Sequence, residues 1–200
     1  MGPSIFFLFS YRKELKFVAS VFLIVAILPI LAVILLTQVG INIVSDKLVN
    51  QNPFTQMIEI RDPVTGNIVK KISPNIVWPT QGRITLEFGE SSIYQPFHTG
   101  IDIANIKGTP INPAMEGTVV YAGEIFWGLG KHIIIDNGDN IKTIYAHLNK
   151  IYVYKGQKVY TDYVIGAMGS TGWSTGNHLH FQINIYGIPV NPRVFLGQIQ

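Results

Sequence analysis

His178-Leu179-His180-Phe181-Gln182-Ile183-Asn184-Ile185 alternates polar and apolar side chains from end to end. A period of two belongs to a β-strand with one face turned to a core. His178 and His180 then share a face, roughly 6.7 Å apart along the strand. Both imidazoles can therefore approach one metal ion or one substrate. A histidine pair at this spacing arises by chance in roughly one chain in ten of this histidine content. The plain alternative is a surface or half-buried strand pair.

The same texture extends outward from that run. Arg83–Phe88, Gly100–Ala104, Gly117–Ala122, His132–Asp136, Lys142–His147 and Val164–Met168 are short β-rich runs separated by Gly, Pro, Asn and Asp. Helical periodicity is absent from about Ile76 onward. The spacing predicts a mainly β fold, a small antiparallel sandwich or barrel-like domain over residues 76–200. Upstream, Met57–Ile72 (MIEIRDPVTGNIVKKI) sets two β-like runs around Asp62-Pro63 and Thr65-Gly66-Asn67. That is a hairpin signal, here inside a short stem at 38–75 with no chemistry of its own.

Phe17–Leu36 is the other decisive stretch: FVASVFLIVAILPILAVILL, with no charge and Ser20 as its one polar residue. Roughly 20 apolar residues at about 1.5 Å each span a bilayer's hydrocarbon core. A transmembrane helix is expected over 17–37, and lipid surroundings tolerate its Pro29. A cleaved signal peptide would carry a shorter apolar run and a small-residue cleavage site, whereas Thr37-Gln38-Val39-Gly40 follows here. A buried core helix would be apolar on one face only. Arg12, Lys13 and Lys16 precede the span against Glu14 alone, so residues 1–16 are expected in the cytoplasm and the remainder outside. The apolar patch Ile5–Phe9 in that tail is expected at the membrane surface.

The formal charge of +3 divides unevenly. Residues 1–36 hold three basic groups and one acidic group, leaving 12 basic and 11 acidic groups beyond. The outer part has no basic surplus suited to nucleic acid, so no nucleic-acid partner is expected. With no cysteine in the chain, disulfides, thiolate metal sites and a cysteine nucleophile are excluded. A metal must take His, Asp or Glu.

His98-Thr99-Gly100-Ile101-Asp102 offers such ligands. Its residues favour strand or loop over helix, and fully extended the pair would lie roughly 13 Å apart. One ion can bridge them only if the backbone bends, which Gly100 permits. His98, Asp102 and His180 would then supply three N/O ligands and leave a fourth position open, the arrangement of a catalytic zinc site. His147, in Thr143-Ile144-Tyr145-Ala146-His147-Leu148, joins His178 as a base or proton donor beside that site, or else is a hydrogen-bonded strand-end histidine. His132, beside Lys131, is assigned to the surface. There is no HExxH, no GxSxG and no P-loop spacing.

From about Trp78 to Val194 the chain resembles the M23 peptidases, the lysostaphin-like or LytM-like zinc endopeptidases of bacterial cell walls. The matching text runs in order: Trp78-Pro79, Phe88-Gly89, His98-Thr99-Gly100-Ile101-Asp102-Ile103-Ala104, Gly108-Thr109-Pro110-Ile111 and Gly117-Thr118-Val119. It continues through Tyr145-Ala146-His147-Leu148, Gly169-Ser170-Thr171-Gly172, His178-Leu179-His180-Phe181 and Pro189-Val190-Asn191-Pro192. The resemblance implies zinc (Zn2+) held by His98, Asp102 and His180, with His147 and His178 as the catalytic pair. It implies peptide bonds in peptidoglycan stems or cross-bridges as substrate, in a groove whose specificity loops would include Glu124–Lys131 and Tyr186–Pro189. Gln182 stands where family members often carry Glu. Tyr94 is a further tyrosine the family would place near the water, outside the core set.

An outward-facing domain on a bilayer anchor suits that substrate, and an envelope protein complex is compatible with the same address. The rival reading is a catalytically silent wall-binding or activator protein of the same fold. A biotinyl-like carrier, suggested by Ala114-Met115-Glu116-Gly117, lacks the lysine such a turn requires.

Overall fold

The computed structural model describes residues 5–73, 76–91 and 95–196, with side chains from Glu14 onward. It forms two compact units, Met1–Gly40 and Ile41–Gln200.

One helix, α1 (Ile5–Leu48), runs unbroken through Pro29. From Glu14 it is long and apolar enough to cross a membrane, with a mean hydropathy of 3.1 and none of that window buried. It exceeds the expected span at both ends. Residues 5–16 are helical, and the Ile5–Phe9 side chains lie outside the described residues. Residues 38–48, expected as stem, form its last turns. Ile41, Ser45 and Leu48 supply the reason: their i, i+4, i+7 spacing makes one helical stripe, and Ser45 and Leu48 are buried. The Ser45 hydroxyl accepts from the Asn191 N–H at 3.2 Å.

A three-stranded meander follows, β1 (Val49–Gln51), β2 (Ile58–Arg61) and β3 (Ile68–Ile72). The expected hairpin is β2–β3, and β1 is an addition. Both turns use one device. The Asn52 side-chain oxygen accepts from the N–H groups of Phe54 and Thr55, and Asp62 does the same for Val64 and Thr65.

The remaining strands are β4 (Arg83–Leu86), β5 (Ile101–Ala104), β6 (Pro110–Ile111), β7 (Gly117–Glu124), β8 (Lys131–Asp136), β9 (Ile141–Ala146) and β10 (Leu148–Ile151). Then come β11 (Lys158–Val159), β12 (Gly166–Met168), β13 (His178–Ile185) and β14 (Ile188–Val190). One sheet runs β11-β7-β8-β9-β13-β5-β4, with β14 hairpinned onto β13; a smaller one runs β10-β12-β6. All pairings between these strands are antiparallel. The architecture is thus mainly antiparallel β behind a single N-terminal apolar helix.

One buried cluster draws on all three sheets: Ile133, Tyr145, Leu179, Phe181 and Ile183 from the large one, Ile111, Leu148 and Met168 from the small one. Leu48, Val49, Ile58 and Ile60 belong to the same cluster. The stem meander is therefore part of the domain's core. Along β13, Leu179, Phe181, Ile183 and Ile185 are fully buried, and the intervening His178, His180, Gln182 and Asn184 occupy the opposite face.

Candidate metal centre

β13 lies between β5 and β9. His180 is paired with Asp102 on one side and with Ala146 on the other. His147 therefore leaves the end of β9 beside His180. His98 enters from the β4–β5 connection, its N–H donating to the Glu90 carbonyl and its own carbonyl accepting from Gly89, both at 2.8 Å. The bend that HxxxD requires falls at Gly100, where a Cβ would stand 2.3 Å from the Phe181 carbonyl oxygen. Only glycine lets the chain pass β13 that closely.

Three atoms converge. His98 Nε2 lies 2.9 Å from Asp102 Oδ1 and 2.9 Å from His180 Nδ1, and His180 Nδ1 lies 3.0 Å from Asp102 Oδ1. The other nitrogen of each ring faces an acceptor. His98 Nδ1–H donates to the Glu87 carbonyl at 3.0 Å, and His180 Nε2–H points at Gln182 Oε1 at 3.3 Å. The amide is oriented by its other bonds. Its oxygen also accepts from the Thr99 hydroxyl, and its nitrogen donates to Asn184 Oδ1, each at 2.6 Å. In the tautomer these outward acceptors select, each ring aims a lone pair inward. Two imidazole lone pairs and a carboxylate oxygen with no proton between them fit a cation. Two nitrogens and one oxygen, with a fourth side open to the cleft, fit catalytic zinc.

His147 and His178 sit beside this triangle, their ring centroids 4.7 Å apart. His147 takes a left-handed backbone, φ 62°, uncommon for a residue with a Cβ. Its N–H donates to the Leu129 carbonyl at 3.0 Å and its ring Nδ1–H to the Thr171 carbonyl at 2.7 Å. Burial, then the His180 and His178 rings, push the His147 imidazole down to about 4, so it is neutral at pH 7. His178 Nδ1–H donates to the Gly176 carbonyl at 2.9 Å, and its Nε2 lies 3.5 Å from Asp102 Oδ2. In both rings Nε2 is left as the acceptor.

The five residues singled out from the sequence therefore meet in one cleft, walled by Thr85, Leu86, Gly128, Leu129 and Trp173. Of the two expected specificity loops, Glu124–Lys131 contributes Gly128 and Leu129. The other does not reach the cleft. Tyr186–Pro189 is the β13–β14 turn, at the far end of β13 from His178, roughly 23 Å of strand away. Trp173, Ser174 and Thr175, in the turn that leads into β13, line the cleft instead. Tyr94 lies outside the described residues. His132 departs from its surface assignment. It is 5% exposed, stacked on Tyr121 at 4.4 Å, with Nδ1–H donating to the Gly130 carbonyl. The aromatic stack and a satisfied ring proton remove the usual reason for a histidine to stay in water.

Comparison with known proteins agrees with the geometry. The profile of peptidase family M23 matches residues 96–192. The murein hydrolase activator NlpD of Salmonella dublin is 38% identical over 148 residues, which cover 68% of this chain and 38% of that protein. The DD-carboxypeptidase/endopeptidase Mpg of Neisseria meningitidis serogroup B is 42% identical over 95 residues, covering 48% of this chain and 22% of that one. The chain thus spans well under half the length of these curated relatives. Among solved structures, a mutant catalytic domain of the prophage-encoded M23 protein EnpA from Enterococcus faecalis superposes with a TM-score of 0.54. It is 35% identical, and the match covers 62% of this chain and 97% of that domain. The chain belongs to peptidase family M23.

Proposed function

We propose that this chain is a membrane-anchored zinc endopeptidase that hydrolyses peptide bonds in peptidoglycan stem or cross-bridge peptides. The observation that carries the reading is the triangle of lone pairs from His98, Asp102 and His180 with two further histidines at its open side. When bound, zinc supplies a Lewis acid and makes water acidic enough to be activated near neutral pH. The protein's own groups do the rest. Gln182 and the Glu87 carbonyl hold the two ligand rings in one tautomer. His147 Nε2 accepts a proton from the attacking water, and its neutral state at pH 7 leaves that lone pair available. His147 then returns that proton to the leaving amine, and His178, its Nε2 3.5 Å from Asp102 Oδ2, is the second histidine of the catalytic pair at the reacting bond. The apolar helix supports anchoring, and the Arg12, Lys13, Lys16 flank supports a cytoplasmic N-terminus with the peptidase domain outside.

The NlpD relative's designation as a murein hydrolase activator favours a second reading, an activator of the same fold. One experiment separates the two: metal analysis of the purified full chain, with mass analysis of fragments released from purified peptidoglycan. The enzyme reading expects about one zinc per chain and released peptides, both lost in His180→Ala. Zinc with no released peptide supports the activator. Release that survives His180→Ala overturns the metal-dependent mechanism.

A further inference from the structure

His147 is held from two directions that converge on one residue, and that residue is neither a ligand nor part of the histidine pair. The Thr171 carbonyl accepts the His147 ring proton at 2.7 Å. The Thr171 hydroxyl donates to the Leu148 carbonyl at 3.0 Å and accepts from the Lys131 N–H at 2.9 Å. It thereby ties the residue after His147 to the start of β8. Around it the chain is interleaved. A Cβ on Gly130 would stand 2.4 Å from the Thr171 carbonyl carbon, and one on Gly172 would stand 2.3 Å from the Gly128 carbonyl oxygen. Trp173 N–H closes the crossing onto that Gly128 oxygen at 2.8 Å. The same loop supplies Leu129, whose carbonyl holds the His147 N–H.

We infer that Thr171 is the positioning residue for His147: its hydroxyl fixes the place of its own carbonyl, and that carbonyl fixes the His147 ring in the Nδ1–H tautomer. The alternative tautomer would set an Nδ1 lone pair against the Thr171 oxygen and present an N–H, instead of an acceptor, to the cleft. The left-handed backbone at His147 makes this hold necessary. A strained residue keeps its conformation only where its surroundings over-determine it, and here two main-chain oxygens from one loop crossing do so. The inference rests on the reading that His147 works at the metal centre as a proton acceptor.

The test uses the full chain in detergent with 15N-labelled histidine, in the wild type, Thr171→Val and Thr171→Ser. Long-range 1H–15N spectra report each imidazole's tautomer without turnover, and His147→Gln assigns the signal. The wild type is expected to show His147 as Nδ1–H. Thr171→Val keeps the side chain's shape but loses both hydroxyl bonds. It is expected to populate the Nε2–H form and to lower kcat on peptidoglycan about tenfold or more, with KM and zinc affinity unchanged. Thr171→Ser is expected to restore both readouts. An Nε2–H tautomer in the wild type overturns the proposal whether or not Thr171→Val folds, as does an unaltered tautomer in Thr171→Val. Loss of zinc affinity in step with kcat also overturns it, because that marks a general structural role. A tautomer switch in a chain without turnover leaves the positioning role standing and sinks the enzyme reading.

Discussion

Gly100→Ala tests the fold and the metal centre together. Its new Cβ would stand 2.3 Å from the Phe181 carbonyl oxygen, 2.9 Å from that carbonyl's carbon and 3.0 Å from His180 Cε1. Ordinary contact begins at 3.4 Å, so β5 and β13 must part locally by about 1 Å. Two of the three atoms met are main chain, so no side chain can swing aside. Forced separation of this kind costs about 1–3 kcal/mol, and each kcal/mol is worth about 2–4 °C of Tm in a domain of this size. The same displacement lies between Asp102 and His180, directly paired across the two strands. Metal coordination tolerates errors of about 0.2 Å, so zinc affinity is expected to fall at least about tenfold. Thermal unfolding and competition against a chelator measure the two effects on the full chain. Gly176→Ala is the control, because its Cβ would meet nothing within 4 Å. If Gly100→Ala bound zinc and melted like the wild type, the account of this close approach as the hinge of the site would be wrong.

Two further outcomes follow from buried hydrogen bonds. Gln182→Leu leaves the His180 Nε2–H and the Thr99 hydroxyl without their acceptor, and zinc affinity should fall about 10–100-fold, while Gln182→Glu should retain it; chelator competition distinguishes them. Tyr145 is fully buried with its hydroxyl oxygen accepting from the Ala114 N–H at 2.8 Å, and burial pushes its phenol up to about 12. The unfolded chain ionises this group near 10.0. Between those values the unfolded state carries fewer protons, so stability falls as pH rises, by at most about 1.4 kcal/mol per pH unit. Tyr145→Phe should remove that alkaline slope and cost about 1–3 kcal/mol at pH 7 through the unpaired Ala114 N–H; denaturant titrations at pH 7 and across the alkaline range measure both.

The sequence carried what depends on local period and residue chemistry. The alternation of His178–Ile185 marks β13 correctly because both of its faces are committed, one to the core and one to the site. The apolar run marks the helix because no soluble surface would leave such residues exposed. Spacing alone left His98 and Asp102 as a weak pair. Their convergence depends on how closely Gly100 passes the Phe181 carbonyl, a relation between strands 80 residues apart that no local pattern holds. Two-residue strands such as β6 and β11 exist through their partners and have no signal of their own. His132 went astray for a similar reason: its cover is Tyr121, its neighbour only across the β7–β8 ladder. The Tyr186–Pro189 turn, which the resemblance places at the groove, follows the histidine strand in sequence, and the fully extended strand carries it away.

The shared core also governs how this protein can be taken apart. Leu48, Val49, Ile58 and Ile60 are buried with the β-domain residues, and each contributes about 1.5–3 kcal/mol of burial. A protease that nicked the chain between the meander and β4 would therefore not shed a free β-domain. The two pieces would stay clamped through these side chains, and a form that sheds the apolar helix with this core intact would require a cut upstream of Ile41.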